Sequence, residues 1–287
     1  MLDITREEVR EYLFTEISAV LKEGEIDYVK WDMNRNLSDV WSKALPKERQ
    51  GEVYHRYVLG VYALMEHFVA AFPDILWESC SGGGGRFDAG ILYYMPQIWC
   101  GDNTDAIERL QIQYGTSFGY PISSMGSHVS ASPNIQTGRS TPIQARAVTA
   151  MAGSFGYELD VRKLGKEERE AIKEQIREFQ QMYPLIHYGD YYRLTNAQQD
   201  REFTAWQFVD ETKSESLVFV VMLRARSNSP FFRLRLRGLK EDGFYRIAEG
   251  GEEVYEGRAL MHGGILLPIV KGDYQSMKFW IQSVNID

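Results

Sequence analysis

Cysteine is almost absent from this chain: Cys80 and Cys100 are the only two in 287 residues. They form no framework of closely spaced pairs, so reduced thiols and a reducing, cytoplasmic compartment are the expectation. Histidine is also scarce. The five residues His55, His67, His128, His187 and His262 show no H-x-x-x-H spacing, and no C-x-x-C accompanies them, so no metal site is expected. Long apolar runs are missing too: none approaches the roughly 18 residues that suggest a membrane span. The opening MLDITREEVREYLF carries acids and no continuous apolar stretch, unlike a signal peptide. Finally, basic charge is in deficit. A net charge of −8 argues against nucleic acid or an anionic membrane as partner, since both call for a basic face.

What remains is ordinary globular material. A hydrophobic share of 44% with 25% charged residues supplies a core, and the length allows one large domain or a large one with a small partner. Residues 3–22 read as an amphipathic helix, with Val9, Leu13, Ile17 and Leu21 recurring every fourth position and Asp3 and Thr5 available as caps. IDYVKW at 26–31 reads as a short buried strand, followed by a helix over about 47–71. The strand-like DILWES, a glycine run and PQIWC come next. Helices near 103–115 and 141–152, the segment YPISSMGSHV between them, the strand-like SFGYELD and a charged helix over about 165–182 complete the series. Short buried strands alternating with helices are the signature of βα units on a parallel sheet. From about residue 195 the helical period disappears. EFTAWQFVD, SLVFVVMLRAR, FFRLRLRGL, GFYRIAE and MKFWIQSV, separated by turn residues, read as an antiparallel β domain, joined through an aromatic linker, YPLIHYGDYYRL, that is expected to be docked. FFRLRLRGL alternates arginine with hydrophobe, as a solvated sheet face does.

Several residues could carry chemistry. In YVKWDMNRN, Asp32 directly follows an apolar strand, and in extended backbone Lys30, Asp32 and Asn34 point to one side. Lys30 would hold Asp32 ionised and nucleophilic, and Asn34 could bond a substrate hydroxyl; a strand-end salt bridge is the structural alternative. In QIWCGDNTDAIERL, Asp102, Asn103, Thr104 and Asp105 are all good helix caps, so taken alone Asp102 reads as a cap. Its functional reading needs a second carboxylate close by. The run in ESCSGGGGRFD is no phosphate loop, because Arg86 and Phe87 stand where Lys-Ser/Thr would follow. Four glycines at a strand end either let the backbone approach a ligand or make an irregular turn. Cys80 has no histidine nearby in sequence to activate it as a nucleophile. Trp31, Trp77 and Trp99 fall at three successive strand ends, as core filling or as sugar platforms. His128 reads as a solvated loop residue or the lining of a pocket mouth.

Taken together, YVKWDMNRN, ESCSGGGGRFDAGILYYMPQIWCGDNTDAIERLQIQYGTSFGYP and MGSHVSASPNIQTGRSTPIQARAVTAMAGSFGYELD resemble the bacterial α-galactosidases of glycoside hydrolase family 36, and the resemblance spans essentially the whole chain. It implies that Asp32, in the K-W-D-x-N motif, is the nucleophile and that Asp102, the first aspartate of D-x-x-D, is the acid/base. It further implies substrate contacts from Lys30, Trp31, Met33, Asn34, Cys80, Gly82 and Gly83. The implied fold is α/β: a partial (β/α)8 barrel comprising strands four to eight over residues 1–190, then a small antiparallel β-sandwich domain over 191–287. The implied activity is retaining hydrolysis of terminal α-galactosyl residues of melibiose- and raffinose-like oligosaccharides. A catalytically silent or carbohydrate-binding remnant, or a raffinose-synthase-like galactosyltransferase, are the alternatives. The chain departs from the family pattern in lacking counterparts of the N-terminal sandwich and of barrel strands one to three. Completion by that missing half, or self-association, is therefore expected. A smaller departure is Cys100-Gly101 before Asp102, where a serine often stands.

Overall fold

The computed structural model describes residues 2–248 and 251–285, in two units, one ending at Asp102 and the other beginning at Asn103. The first unit is a run of βα elements. Helix α1 (Glu7–Glu23) lays Leu21 into the core, with Val9, Leu13 and Ile17 half-buried beside it, as the four-residue recurrence predicts. Neither expected cap serves this helix, which starts at Arg6 with no side-chain cap. Asp3 is drawn elsewhere: its carboxylate accepts from the Thr5 amide at 3.2 Å and from the Ser42 hydroxyl at 2.6 Å, so it closes a local turn and pins a distant loop.

Strand β1 (Tyr28–Asp32) is followed by a short 3₁₀ turn and helix α2 (Val53–Ala71), which buries Val53, Tyr57, Val61, Leu64 and Phe68 along one stripe. Strand β2 (Leu76–Cys80), helix α3 (Ala89–Tyr94) and strand β3 (Gln97–Trp99) follow. The three strands are parallel in the order β1-β2-β3, with Lys30 opposite Glu78, Asp32 opposite Cys80, and Glu78 opposite Gln97. The fully buried Phe68 ring packs against both Trp31 and Trp77, each with centroids 5.5 Å away. This contact fixes which face of β1 is core. Val29 and Trp31 turn towards α2, so the period-two alternation leaves Tyr28, Lys30 and Asp32 on the exposed face.

In the second unit helices α4 (Ala106–Thr116), α5 (Ile143–Ala150) and α6 (Lys166–Tyr188) accompany the parallel pair β4 (Met125–Ser130) and β5 (Ser154–Glu158). Helix α6 runs six residues beyond the expected end, through Pro184, because Met182, Leu185 and Ile186 continue its apolar stripe and their burial offsets the hydrogen bond that proline removes. The antiparallel part comprises β6 (Asp190–Arg193), β7 (Phe203–Val209), β8 (Glu215–Met222), β9 (Arg233–Leu234), β10 (Phe244–Ile247), β11 (Val254–Glu256), β12 (Ile265–Leu266) and β13 (Ser276–Ser283). Six of these form one sheet in the order β11-β10-β13-β8-β7-β6, and β12 pairs with β9. FFRLRLRGL is less of a strand than its pattern predicts. Leu234 and Leu236 are buried and the arginines exposed, yet only Arg233 and Leu234 pair in a ladder. The Leu236 amide goes to the Leu260 carbonyl, and the Arg237 amide to the Gln207 side chain. Among the described residues no helix is long and apolar enough to cross a membrane.

Candidate active site

The carboxyl ends of β1, β2 and β3 converge around a glycine turn. Lys30, Asp32 and Asn34 share one side of the chain, as extended backbone requires. Asn34 Nδ2 donates to Asp32 Oδ2 at 3.0 Å, and Asn34 Oδ1 accepts the Gly82 amide at 2.6 Å. Asn34 therefore couples the Asp32 carboxylate to the turn after β2. Partial burial of Asp32 disfavours its charge, but hydrogen bonds from Asn34, Cys80 and the Gly82 amide, with the charge of Lys30, outweigh that and hold it below the usual aspartate range. It is an exposed, ionised, well-oriented carboxylate.

The turn explains its own composition. Gly82 and Gly83 both adopt positive φ, +54° and +79°. At Gly83 a Cβ would lie 2.7 Å from Gly101 Cα and 2.9 Å from the Asp102 nitrogen. The turn is thus packed, backbone on backbone, against the segment that carries Asp102, as only glycine allows. Between Asn34 on one side and Gly101–Asp102 on the other, these two residues relate the two aspartates.

Asp102 does not cap a helix. Asp105 takes that role, accepting from the amides of Ile107 at 2.8 Å and Glu108 at 3.2 Å, and it is anchored further by Arg139 at 2.6 Å and the Thr137 hydroxyl. Asp102 instead accepts from the indole Nε1 of buried Trp99 at 3.2 Å and remains exposed. The Lys30 ammonium lies over the same Trp99 ring, 4.7 Å from its centroid. Buried Cys80 stands directly opposite Asp32. Its burial and the adjacent Asp32 carboxylate push the thiol up, against the Gly83 amide and Lys30, which makes Cys80 a neutral donor and not a thiolate nucleophile.

Of the other nominated residues, Trp31 and Met33 point to the opposite side of β1, packed on the core that contains α2. The Met33 backbone is nevertheless structural to the site. Its amide donates to the Cys80 carbonyl at 3.2 Å, and its carbonyl accepts from Ser81 Oγ at 2.8 Å and Arg86 Nη1 at 3.2 Å. Arg86 also donates to the Cys80 carbonyl at 2.8 Å, which ties the ends of β1 and β2 together. Sequence reasoning passed over Arg86 as an exclusion criterion. The available signal was a cation following a glycine run at a strand end, where free carbonyls need donors. A cavity of about 480 Å³ borders the turn, lined by Asn34, Tyr57, Tyr62, Ser81, Gly82 and Arg86 among others. Among the described residues no cluster of His, Cys, Asp or Glu is arranged to hold a metal ion.

The chain matches the Melibiase family model over residues 1–189 and the model of the glycosyl hydrolase family 36 C-terminal domain over residues 203–281. It is 52% identical over 279 residues to the bifunctional alpha-galactosidase/sucrose kinase AgaSK of Mediterraneibacter gnavus, spanning 97% of this chain and 29% of that protein. It is 48% identical over 285 residues to alpha-galactosidase AgaA of Geobacillus stearothermophilus, spanning 99% of this chain and 39% of that protein. The AgaA crystal structure superposes with a TM-score of 0.95, covering 99% of this chain and 39% of the AgaA chain. An AgaA variant solved in complex with raffinose, 47% identical, gives the same TM-score and the same coverages. The chain therefore spans between 29% and 39% of the length of these relatives. Its fold class is the expected one, part of a (β/α)8 barrel followed by an antiparallel all-β module.

Proposed function

The chain belongs to the melibiase family, glycoside hydrolase family 36, and from that premise we propose that it carries the nucleophile and the acid/base of a retaining α-galactosidase. The observation that carries the reading is the hydrogen-bonded line from Asp32 through Asn34 to the Gly82 amide, with the adjoining Gly83 packed against Gly101 and Asp102. Two carboxylates from different strand ends are thereby held in one frame, where barrel enzymes carry their chemistry.

Asp32 attacks the anomeric carbon of a terminal α-galactosyl residue while Asp102 passes its proton to the departing glycosidic oxygen. Water then attacks the covalent galactosyl ester, and Asp102 takes the proton that water loses. Such retention requires carboxyl groups about 5–5.5 Å apart, whereas inversion needs roughly 6.5–9.5 Å. This reading requires the glycine turn, packed on Gly101 and Asp102, to hold the two aspartates at the shorter separation. Lys30, Asn34, Cys80, Gly82 and Gly83 orient the nucleophile and approach the sugar, with Trp31 and Met33 buttressing the strand behind them. No cofactor is required. The substrates are oligosaccharides with terminal α-galactose, such as melibiose and raffinose; an AgaA variant crystallised with raffinose supports that class.

Residues 1–190 act as the catalytic portion and 191–287 as a separate antiparallel domain. The exposed face of β1, which bears Lys30 and Asp32, is completed by the polypeptide that supplies the remaining barrel strands or by a second copy of the chain. The deciding experiment is hydrolysis of an aryl α-galactoside with Asp32→Ala as the paired control. Loss of at least about 10⁴-fold in turnover is expected for removal of a nucleophile, with α-galactose as the first-formed anomer by NMR. Substantial residual turnover, or β-galactose released first, refutes the assignment.

A further inference from the structure

One buried carboxylate is not used by this mechanism. Glu78, on β2, is 1% exposed and lies in the rung directly below Cys80, flanked by Lys30 on β1 and Gln97 on β3. Burial of an acid in the middle of a sheet calls for partners. One oxygen, Oε2, accepts the Tyr28 hydroxyl, and Gln97 Nε2 in turn donates to Tyr28 at 3.1 Å. The other, Oε1, has no hydrogen-bond donor and faces the Lys30 ammonium at 3.8 Å. That ammonium rests over Trp99, whose indole N–H is bonded to Asp102. Glu78, Lys30 and Trp99 thus form one polar line across all three strands, beneath Asp32 and ending at Asp102.

We propose that Glu78 is a positioning residue that acts through Lys30: it holds the ammonium over the Trp99 ring, on the side of the sheet that bears Asp32, so that a mobile four-carbon side chain delivers its charge to one place. This rests on the galactosidase reading for its consequence in catalysis, though the hold on Lys30 stands independently. A flexible lysine contributes little to a transition state unless its position is preorganised, and an anchor that is itself buried and hydrogen-bonded at its other oxygen provides that. The groups facing Glu78 are Tyr28 and Lys30 from β1 and Gln97 from β3. Those acting on Asp32 are Lys30, Asn34, Cys80 and the Gly82 amide.

Two measurements test the proposal, and the first needs no activity. Competitive acetylation of the folded chain, read residue by residue by mass spectrometry with the other lysines as internal references, reports how strongly each ammonium is held. Glu78→Gln, which keeps shape and Tyr28 contact, should raise the rate at Lys30 by about tenfold, the scale of one partly buried ion pair, and leave the other lysines unchanged. An unchanged rate at Lys30 overturns the proposal. The second is a double-mutant cycle in the longest form of the gene product that hydrolyses an aryl α-galactoside. Glu78→Gln alone should lower kcat by about 10-fold with KM within a factor of about three, and should cost nothing further in a Lys30→Met background. Additive losses would mark Glu78 as merely structural. If Asp32→Ala leaves turnover intact in that assay, the galactosidase reading falls while the acetylation result still decides whether Glu78 holds Lys30.

Discussion

Replacing Gly83 by alanine separates two effects that usually arrive together. The positions Gly82 and Gly83 are adjacent, both have positive φ, and alanine in either pays about 1–2 kcal/mol for the left-handed region. They differ in what a Cβ meets. At Gly82 the nearest atom is Asn34 Oδ1, a tolerable 3.8 Å away; at Gly83 it is backbone, Gly101 Cα at 2.7 Å and the Asp102 nitrogen at 2.9 Å. Backbone cannot swing aside like a side chain, so Gly83→Ala adds an overpacking penalty of about 1–3 kcal/mol. Gly82→Ala should therefore destabilise by about 1–2 kcal/mol and Gly83→Ala by about 2–5 kcal/mol. Equilibrium urea unfolding, with hydrogen exchange of β2 and β3 as the local probe, reads the difference. If strain is relieved by displacing Asp102 instead, stability is partly recovered, and on the acid/base role proposed for Asp102 a shift of about 1 Å should lower turnover by about 10²-fold. Gly83→Ala indistinguishable from Gly82→Ala in both stability and turnover would refute the claim that the turn is packed against the Asp102 segment.

Two further outcomes are expected. Trp99→Phe removes the indole donor to Asp102 but keeps a ring beneath Lys30, so proton delivery should suffer selectively. Turnover of a galactoside with a basic alcohol leaving group should fall by about tenfold more than turnover of an activated aryl galactoside, and equal losses would refute the role given to that hydrogen bond. Asp105 gives a pH signature. Burial opposes its ionisation, but the Thr137 hydroxyl, the amides of Ile107 and Glu108, and Arg139 hold it below the ordinary aspartate range. A depressed folded pKa contributes stability that is present above the unfolded value of about 3.9 and is lost as pH falls through the folded value. Asp105→Asn should therefore lower stability at neutral pH by about 1–3 kcal/mol, the cost of leaving buried donors unsatisfied, with the gap to the parent chain closing below about pH 4; a gap independent of pH would count against it.

Much of this protein was legible in one dimension because the relevant physics is local. Side-chain alternation places Lys30, Asp32 and Asn34 together in any extended segment, so the composition of one face of β1 followed from spacing alone. Apolar periods marked α1 and α2, short apolar runs marked the strands beside them, and the loss of helical period after residue 195 marked the change to antiparallel sheet. Helix α3 escaped notice because it has only six residues, and its start depends on Asp88 accepting from both the Ile91 amide and the Tyr62 hydroxyl of another helix. The extent of the FFRLRLRGL strand escaped for a related reason: alternation reports which side chains are buried, not which backbone partner is available.

Tertiary structure alone decided which of four capping residues would cap. Asp102, Asn103, Thr104 and Asp105 have similar local propensities, and the choice fell to Asp105 because Thr137 and Arg139, some thirty residues away, reach it. That leaves Asp102 to the Trp99 indole and to the backbone beside Gly83. The same holds for Glu78, an unremarked acid in a strand until parallel pairing sets Lys30 and Gln97 on either side of it. Residue type and period are properties of neighbours along the chain. Distances between groups on different strands depend on how sheets register and turns close, and those are settled only when the burial of rings such as Phe68, Trp31 and Trp77 selects one packing from the many that the local preferences permit.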